Sequence, residues 1–150
     1  MKAVIIYDTK FGNTEEIAKA ICSGMKEVGF NDVSAKSGGA TTPNELRDAE
    51  LWIFGCPTQK GGTSGKYKKL FKWMRKNMVL DRMGFAFETR LEGSEGGAAA
   101  KIEAVMQECG VEIIHEPESF VVEEKTGPLA YGEIDRATTF GRKIAGEMRD

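Results

Sequence analysis

The sequence predicts a doubly wound α/β domain: a five-stranded parallel sheet of order 2-1-3-4-5 with helices on both faces. Three observations predict it. Short apolar runs of buried-strand type alternate with amphipathic helical stretches from end to end. The 150 residues suit one domain with a sizeable core, and no linker, repeat or low-complexity segment divides them. The turns after the first, third and fourth apolar runs are rich in glycine and hydroxyl residues, and an open parallel sheet binds its ligands beyond those strand ends. Right-handed crossovers leave few other arrangements.

Residues 2–7 form the first apolar strand. From Thr14 onward, Ile17, Ala18, Ile21, Met25 and Val28 recur every three or four residues, which is one face of a helix. Residues 32–36 read as a short second strand. Thr42, Pro43, Asn44 and Glu45 have the form of a capping box with proline at the first helical position, opening a short helix through Leu46 and Arg47. Residues 51–55 are a buried third strand, and Tyr67, Leu70, Phe71 and Met74 make one face of a third helix. Residues 83–87 form the fourth strand. Ile102, Val105, Met106 and Cys109 mark a fourth helix, closed by Gly110. The fifth strand covers residues 111–115 and resumes after Pro117 at 119–123. Ile134, Ala137, Phe140, Ile144, Ala145 and Met148 give the last helix.

Composition narrows the function. Hydrophobic residues are 41% and charged residues 29%, as in ordinary globular chains. A net charge of −2 argues against nucleic acid as partner, and no apolar stretch is long enough to span a bilayer. Cys22, Cys56 and Cys109 are odd in number and lack metal or redox-pair spacing, and no signal peptide is evident, so a reducing cytoplasm is expected. Charge is uneven: Lys60, Lys66, Lys68, Lys69, Lys72, Arg75, Lys76 and Arg82 crowd a segment whose only acid is Asp81.

The chemistry concentrates in three loops. Thr9, Lys10, Phe11, Gly12, Asn13 and Thr14 join the first strand to the first helix, where unpaired amides and the positive end of the helix dipole suit a phosphate. The pattern is neither a dinucleotide fingerprint nor a nucleoside-triphosphate loop. Asn13 or Thr14 is expected to cap the helix, with Glu15 and Glu16 favourably placed in its first turn. After the third strand come Pro57, Thr58, Gln59, Lys60, Gly61 and Gly62. After the fourth come Thr89, Arg90, Leu91, Gly93, Gly96 and Gly97. Glycines there let the backbone approach a flat ligand closely. All three loops meet at the topological switch point.

The Thr-x-x-Gly-Asn-Thr loop and the Gly55-Cys56-Pro57-Thr58 turn resemble those of flavodoxins, and the run from Gly127-Pro128-Leu129 to Gly132-Glu133 resembles archaeal-type members. The resemblance spans the chain, which lacks a long insertion in the fifth strand, as in short-chain flavodoxins. It implies a flavodoxin-like fold, a bound flavin mononucleotide (FMN) and electron transfer between redox proteins. It implies that residues 9–14 wrap the FMN phosphate and that the second and third loops flank the isoalloxazine, with Gly61 or Gly62 as a backbone hinge. One departure stands out: neither of those loops contains an aromatic residue for stacking, and Phe11 and Tyr67 are the nearest by sequence. The basic segment points to a partner with an acidic docking face.

Two further readings remain. One is an FMN-dependent quinone or NAD(P)H oxidoreductase of the same superfamily; the other is a binding module that has lost the flavin. Asp8 follows the first strand as a phosphorylation-site acid would in a receiver domain, but the third strand ends in Gly55-Cys56 rather than an aspartate. His115 has no evident acid–base partner, and Cys56 reads as structural. No catalytic acid–base pair and no metal site are expected.

Overall fold

The computed structural model describes residues 1–58, 67–77 and 81–148. In chain order the elements are β1 (Ala3–Tyr7), α1 (Asn13–Glu27), β2 (Val33–Ser37), a 3-10 turn (Gly38–Ala40), α2 (Pro43–Arg47), β3 (Leu51–Pro57), α3 (Lys68–Asn77), β4 (Met83–Leu91), α4 (Ala98–Glu108), β5 (Glu112–Ile113), β6 (Glu118–Val122) and α5 (Glu133–Glu147). The sheet runs β2-β1-β3-β4-β5, parallel throughout, so the expected order and the helices on both faces are present.

A sixth strand corrects the expected five. The last strand is split: β5 pairs with Met83 and Gly84, and β6 pairs with residues 87–91 of the same strand. Pro117 lies in the break, where it cannot donate to a ladder. β4 is also longer than its apolar run. Its polar end, Glu88 to Leu91, stays extended because β3 pairs with it as far as Thr89 on one side and β6 as far as Leu91 on the other.

Alternation along the strands sends side chains to two cores. Ile5, Ile53, Phe85, Phe87 and Phe120 pack beneath α1 and α5. Val4, Ile6, Trp52, Phe54 and Ala86 pack beneath α2, α3 and α4. Trp52 is fully buried, and its Nε1 donates to the carbonyls of Leu46 and Ala49, both at 2.9 Å. Those bonds pin α2 to β3. The capping box forms as its sequence predicts, the Glu45 amide donating to Thr42 Oγ1 at 3.4 Å behind Pro43. Gly110 follows α4 in the left-handed region, with φ of 94°.

All three cysteines are buried and none forms a disulfide, and burial pushes the thiols of Cys22 and Cys109 up from their ordinary pKa. Both observations fit packing roles. His115 rests against Phe85 and Phe140, with ring centroids 5.8 and 5.0 Å away. No helix among the described residues is long and apolar enough to cross a membrane.

Helices α1 and α5 cross at very close range. A Cβ on Gly24 would overlap the Thr138 carbonyl, and one on Gly141 would overlap the Ile21 carbonyl. Each helix thus presents a glycine to the backbone of the other. Gly146 lies in the same helix, exposed, with nothing within 4 Å of a Cβ. Alanine normally stabilises a helix by up to about 1 kcal/mol over glycine. Gly146→Ala should therefore raise the melting temperature. Gly24→Ala and Gly141→Ala should lower it, each costing about 1–3 kcal/mol of overpacking. Thermal denaturation of the three variants checks this, and a stabilised Gly141→Ala would mean that the crossing can relax.

Candidate functional site

A cleft of about 600 Å³ opens at the carboxyl ends of β1, β3, β4 and β6. It is lined by Thr9, Lys10, Phe11, Asn13 and Thr14 from the first loop and the start of α1, Pro57 and Thr58 from β3 and its end, Thr89, Arg90 and Leu91 from β4, Val122 at the end of β6 and Lys125 beyond it. That volume suits a nucleotide-sized ligand.

The first loop is built around Gly12. Its φ of 91° places it in the left-handed region as N-cap of α1, and no side chain caps the helix. Asn13 and Thr14, expected as caps, turn elsewhere. Thr14 Oγ1 lies 2.9 Å from Thr89 Oγ1, tying the first turn of α1 to β4. The Asn13 amide packs against Gly127, where a Cβ would come within 2.7 Å of Oδ1. The Gly12 amide donates to Thr9 Oγ1 at 2.9 Å, which leaves the Thr9 hydroxyl proton free to donate outward. No described residue accepts from the amides of Asn13, Thr14 or Glu15. The positive end of α1 is therefore open to an outside acceptor.

The N-terminus of α4 is occupied from within. Glu88, only 5% exposed, accepts at Oε1 from the Thr58 hydroxyl at 2.7 Å, the Gly97 amide at 3.0 Å and the Ala99 amide at 3.2 Å. Its Oε2 accepts from Ser119 Oγ at 2.6 Å. Burial alone would raise the Glu88 pKa; the Ser119, Thr58, Ala99 and Gly97 bonds outweigh it and hold the carboxyl below the ordinary glutamate value of 4.5.

This carboxylate explains where the third-loop glycines go. Gly96 packs on Glu88 so closely that a Cβ would overlap Oε2, and Gly97 donates to it. Gly93 turns at φ 79° with nothing within 4 Å of a Cβ. None of these three glycines is among the residues that line the cleft. Thr89, Arg90 and Leu91 do line it, as strand residues rather than loop residues. Gln59, Lys60, Gly61 and Gly62, with the proposed hinge, lie outside the described residues.

Val122 and Lys125 are cleft residues that the sequence reading missed. Their signal was the strand resumed after Pro117, whose following loop must also open at the carboxyl edge. Tyr67 is no stacking candidate. It is fully buried, and its hydroxyl donates to the carbonyls of Ile6, at 3.0 Å, and Gly55. Phe11, 44% exposed, is the aromatic on the cleft among the described residues, with Leu91 and Pro57 as other apolar surfaces. The charge of the described lining is one-sided: Lys10, Arg90 and Lys125, with no carboxylate. Arg90 spends one donor on the Ser94 carbonyl at 2.7 Å. Amides, hydroxyls, cations and apolar walls together fit a phosphate-bearing ligand with a flat apolar part. No group of three or more His, Cys, Asp or Glu among the described residues could hold a metal.

Comparison with known proteins places this cleft in context. A family model described as flavodoxin matches residues 5–140. The coenzyme F420H2 oxidase of Methanocaldococcus jannaschii is 26% identical over 155 residues, covering 99% of this chain and 36% of the oxidase. A flavodoxin of Clostridium saccharobutylicum is 26% identical over 157 residues, covering 99% of this chain and 98% of that protein. The crystal structure of oxidised flavodoxin 1 from Bacillus cereus superposes with a TM-score of 0.83 at 18% identity, covering all of both chains. The chain thus spans about a third of the oxidase and nearly all of the flavodoxins.

Replacing Glu88 tests the node beside the cleft. Glu88→Ala strands buried donors on three elements and should cost about 3 kcal/mol of stability. Because the folded pKa is depressed, the charge contributes fully above the ordinary glutamate pKa, and that contribution is lost as pH falls through the lower folded value. Glu88→Gln should therefore show a shallower loss of stability below pH 4.5 than the native chain. Parallel acid slopes in denaturant titrations would show that the carboxyl is not held ionised.

Proposed function

Since the chain belongs to the flavodoxin family, we propose that it holds FMN in the cleft at the switch point and carries electrons between redox proteins. The observation that carries this reading is the contrast between two helix starts. Glu88 fills the N-terminus of α4, while α1 keeps its first amides for an external anion. Bound FMN would supply one- and two-electron redox chemistry.

The chain's own residues would bind and tune. The amides at the start of α1, the hydroxyls of Thr9 and Thr14, the Asn13 amide and Lys10 would hold the phosphate, with Lys125 adding charge. Phe11, Pro57 and Leu91 would shield the ring system, and Gln59, Lys60, Gly61 and Gly62 would close the second-loop side. With no carboxylate in the described lining, Lys10, Arg90 and Lys125 favour a ligand that gains negative charge on reduction. The partners would be redox proteins with an acidic face, matching the exposed Lys68, Lys69, Lys72 and Lys76 of α3.

A second reading is an FMN-dependent quinone or NAD(P)H oxidoreductase. It is favoured by the likeness to part of a larger oxidase and by the described cleft lining, where Phe11 is the one aromatic, which would leave ring surface for a small substrate. Consumption of NADH or NADPH by the purified chain without an added reductase would select it.

FMN should bind far more tightly than riboflavin, because the open amides and hydroxyls act on the phosphate. Asn13→Ala combined with Thr14→Ala should weaken FMN by at least about tenfold while changing riboflavin little. Equal affinities in fluorescence titration would remove the phosphate site. A second outcome concerns charge. Arg90→Gln and Lys125→Gln should each make the potential of the bound flavin more negative by tens of millivolts at low salt, about 45 mV for a charge ~8 Å away at an effective dielectric near 40. Spectroelectrochemistry at two ionic strengths checks this, with screening expected to shrink the shift.

A further inference from the structure

A second groove, of about 550 Å³, runs between the turn after β2 and helix α3. Its apolar floor is Ala40, Pro43, Leu70 and Trp73. Lys69, Lys72 and Lys76 line it from α3, all exposed. None of the three is paired among the described residues. Glu45, in the helix that begins at the groove's Pro43, is taken by Lys36 at 2.7 Å. Arg47 covers Trp73 at 5.4 Å, adding a further cation to this wall.

The spacing of the lysines selects the ligand. Positions i, i+3 and i+7 lie on one helix face, with neighbours ~5–6 Å apart and a row about 10 Å long. A single phosphate meets only part of such a row, whereas successive carboxylates on a peptide meet all of it. The floor beside the row takes an apolar side chain, the arrangement of an anchor within a polar rim. The groove also begins at the carboxyl edge of the sheet, where Ser37 of β2 pairs with Tyr7 of β1, the strand that leads into the cleft.

We propose that this groove receives an acidic segment of a partner protein, its carboxylates on Lys69, Lys72 and Lys76 and one apolar side chain on Trp73 and Pro43. The partner's being a redox protein rests on the electron-transfer reading; the segment's chemistry does not.

Trp73 is half-buried and Trp52 is fully buried, so their indole N–H resonances read the groove and the core separately. The test uses the full chain loaded with FMN, at low salt, with a synthetic helical peptide carrying glutamates at i, i+3 and i+7 around one leucine. The Trp73 resonance, assigned with Trp73→Phe, should shift on titration while that of Trp52 stays fixed. Affinity should fall by about tenfold in a Lys69→Gln, Lys72→Gln, Lys76→Gln variant, and should fall as salt rises. A peptide with glutamines in place of glutamates should bind at least about tenfold more weakly. Equal binding of the glutamine peptide, binding of ATP as tight as that of the acidic peptide, or no Trp73 shift would each overturn the proposal. Retention of FMN is read from visible absorbance on the same sample. A peptide response without FMN retention would defeat the electron-carrier reading and leave the groove assignment standing.

Discussion

The buried carboxylate of Glu88 is the constraint on which the cleft edge depends. One side chain accepts from β3's end through Thr58, from β6 through Ser119 and from the start of α4 through Gly97 and Ala99. At this edge the ladders are running out, and the one carboxylate links the ends of all three elements. A carboxylate with neutral hydroxyl and amide donors and the positive end of a helix is charge-compensated without a buried cation. This spares the structure the desolvation of a second ion. The price is specificity of sequence: the glycine turn through Gly96 and Gly97 exists to let the backbone close on the carboxylate.

That internal anion also divides labour among the helix starts. Thr42 caps α2, and Glu88 serves α4. Glu133, in the first turn of α5, accepts from the Val121 amide at 2.7 Å and pairs with Arg136 at 2.9 Å. The Arg136 bond, ahead of the Val121 bond, holds the Glu133 carboxyl below its ordinary pKa despite burial. Arg136 in turn lies 4.3 Å over the Phe120 ring. Helix α1, like α5 at Gly132, starts at a left-handed glycine with no capping side chain, but the α1 start lines the cleft, with Thr14 bonded to Thr89 beside it. An N-terminus left uncapped beside buried hydroxyls is a cost to the empty protein that an anionic ligand would offset.

Much of the fold was legible because strands buried on both faces read as continuous apolar runs and the helices as clean three-and-four periodicity. The sheet order followed from connection rules once those elements were placed. What escaped was the polar end of β4 and its pairing with the resumed strand, which makes β6 a strand of its own. Glu88, Thr89 and Arg90 break the apolar pattern, and their extended conformation comes from neighbours distant in sequence. Periodicity cannot see that pairing. The first loop was legible because a glycine at a strand-to-helix turn has few other uses. Its caps were misread because Asn13 and Thr14 are good capping residues locally, and only the approach of Gly127 and Thr89 redirects them. The contact of Gly96 and Gly97 with Glu88 was not legible, because a glycine that admits a flat ring looks, in sequence, like one that admits a carboxylate. Val122 and Lys125 were missed although the strand resumed after Pro117 was read, because only its pairing with the polar end of β4 brings its carboxyl end to the cleft.

The distribution of cations has a consequence for how such a domain can change. Those lining the cleft come from the first loop, β4 and the loop after β6, whereas those of the groove come from a single face of α3. No residue lines both. At physiological ionic strength the field of an exposed charge is damped within about 8 Å. The exposed lysines of α3 would therefore act on whatever contacts them directly, and only weakly on a ligand deep in the cleft. Arg90, partly shielded between β4 and the Ser94 carbonyl, is screened less and acts mainly inward. On the proposed reading, partner choice and ligand tuning would be carried by separate elements, and substitution on α3 would alter one with little effect on the other. The overall charge of −2 hides this arrangement, because the acids that balance the lysines are spread over the rest of the chain rather than set against them.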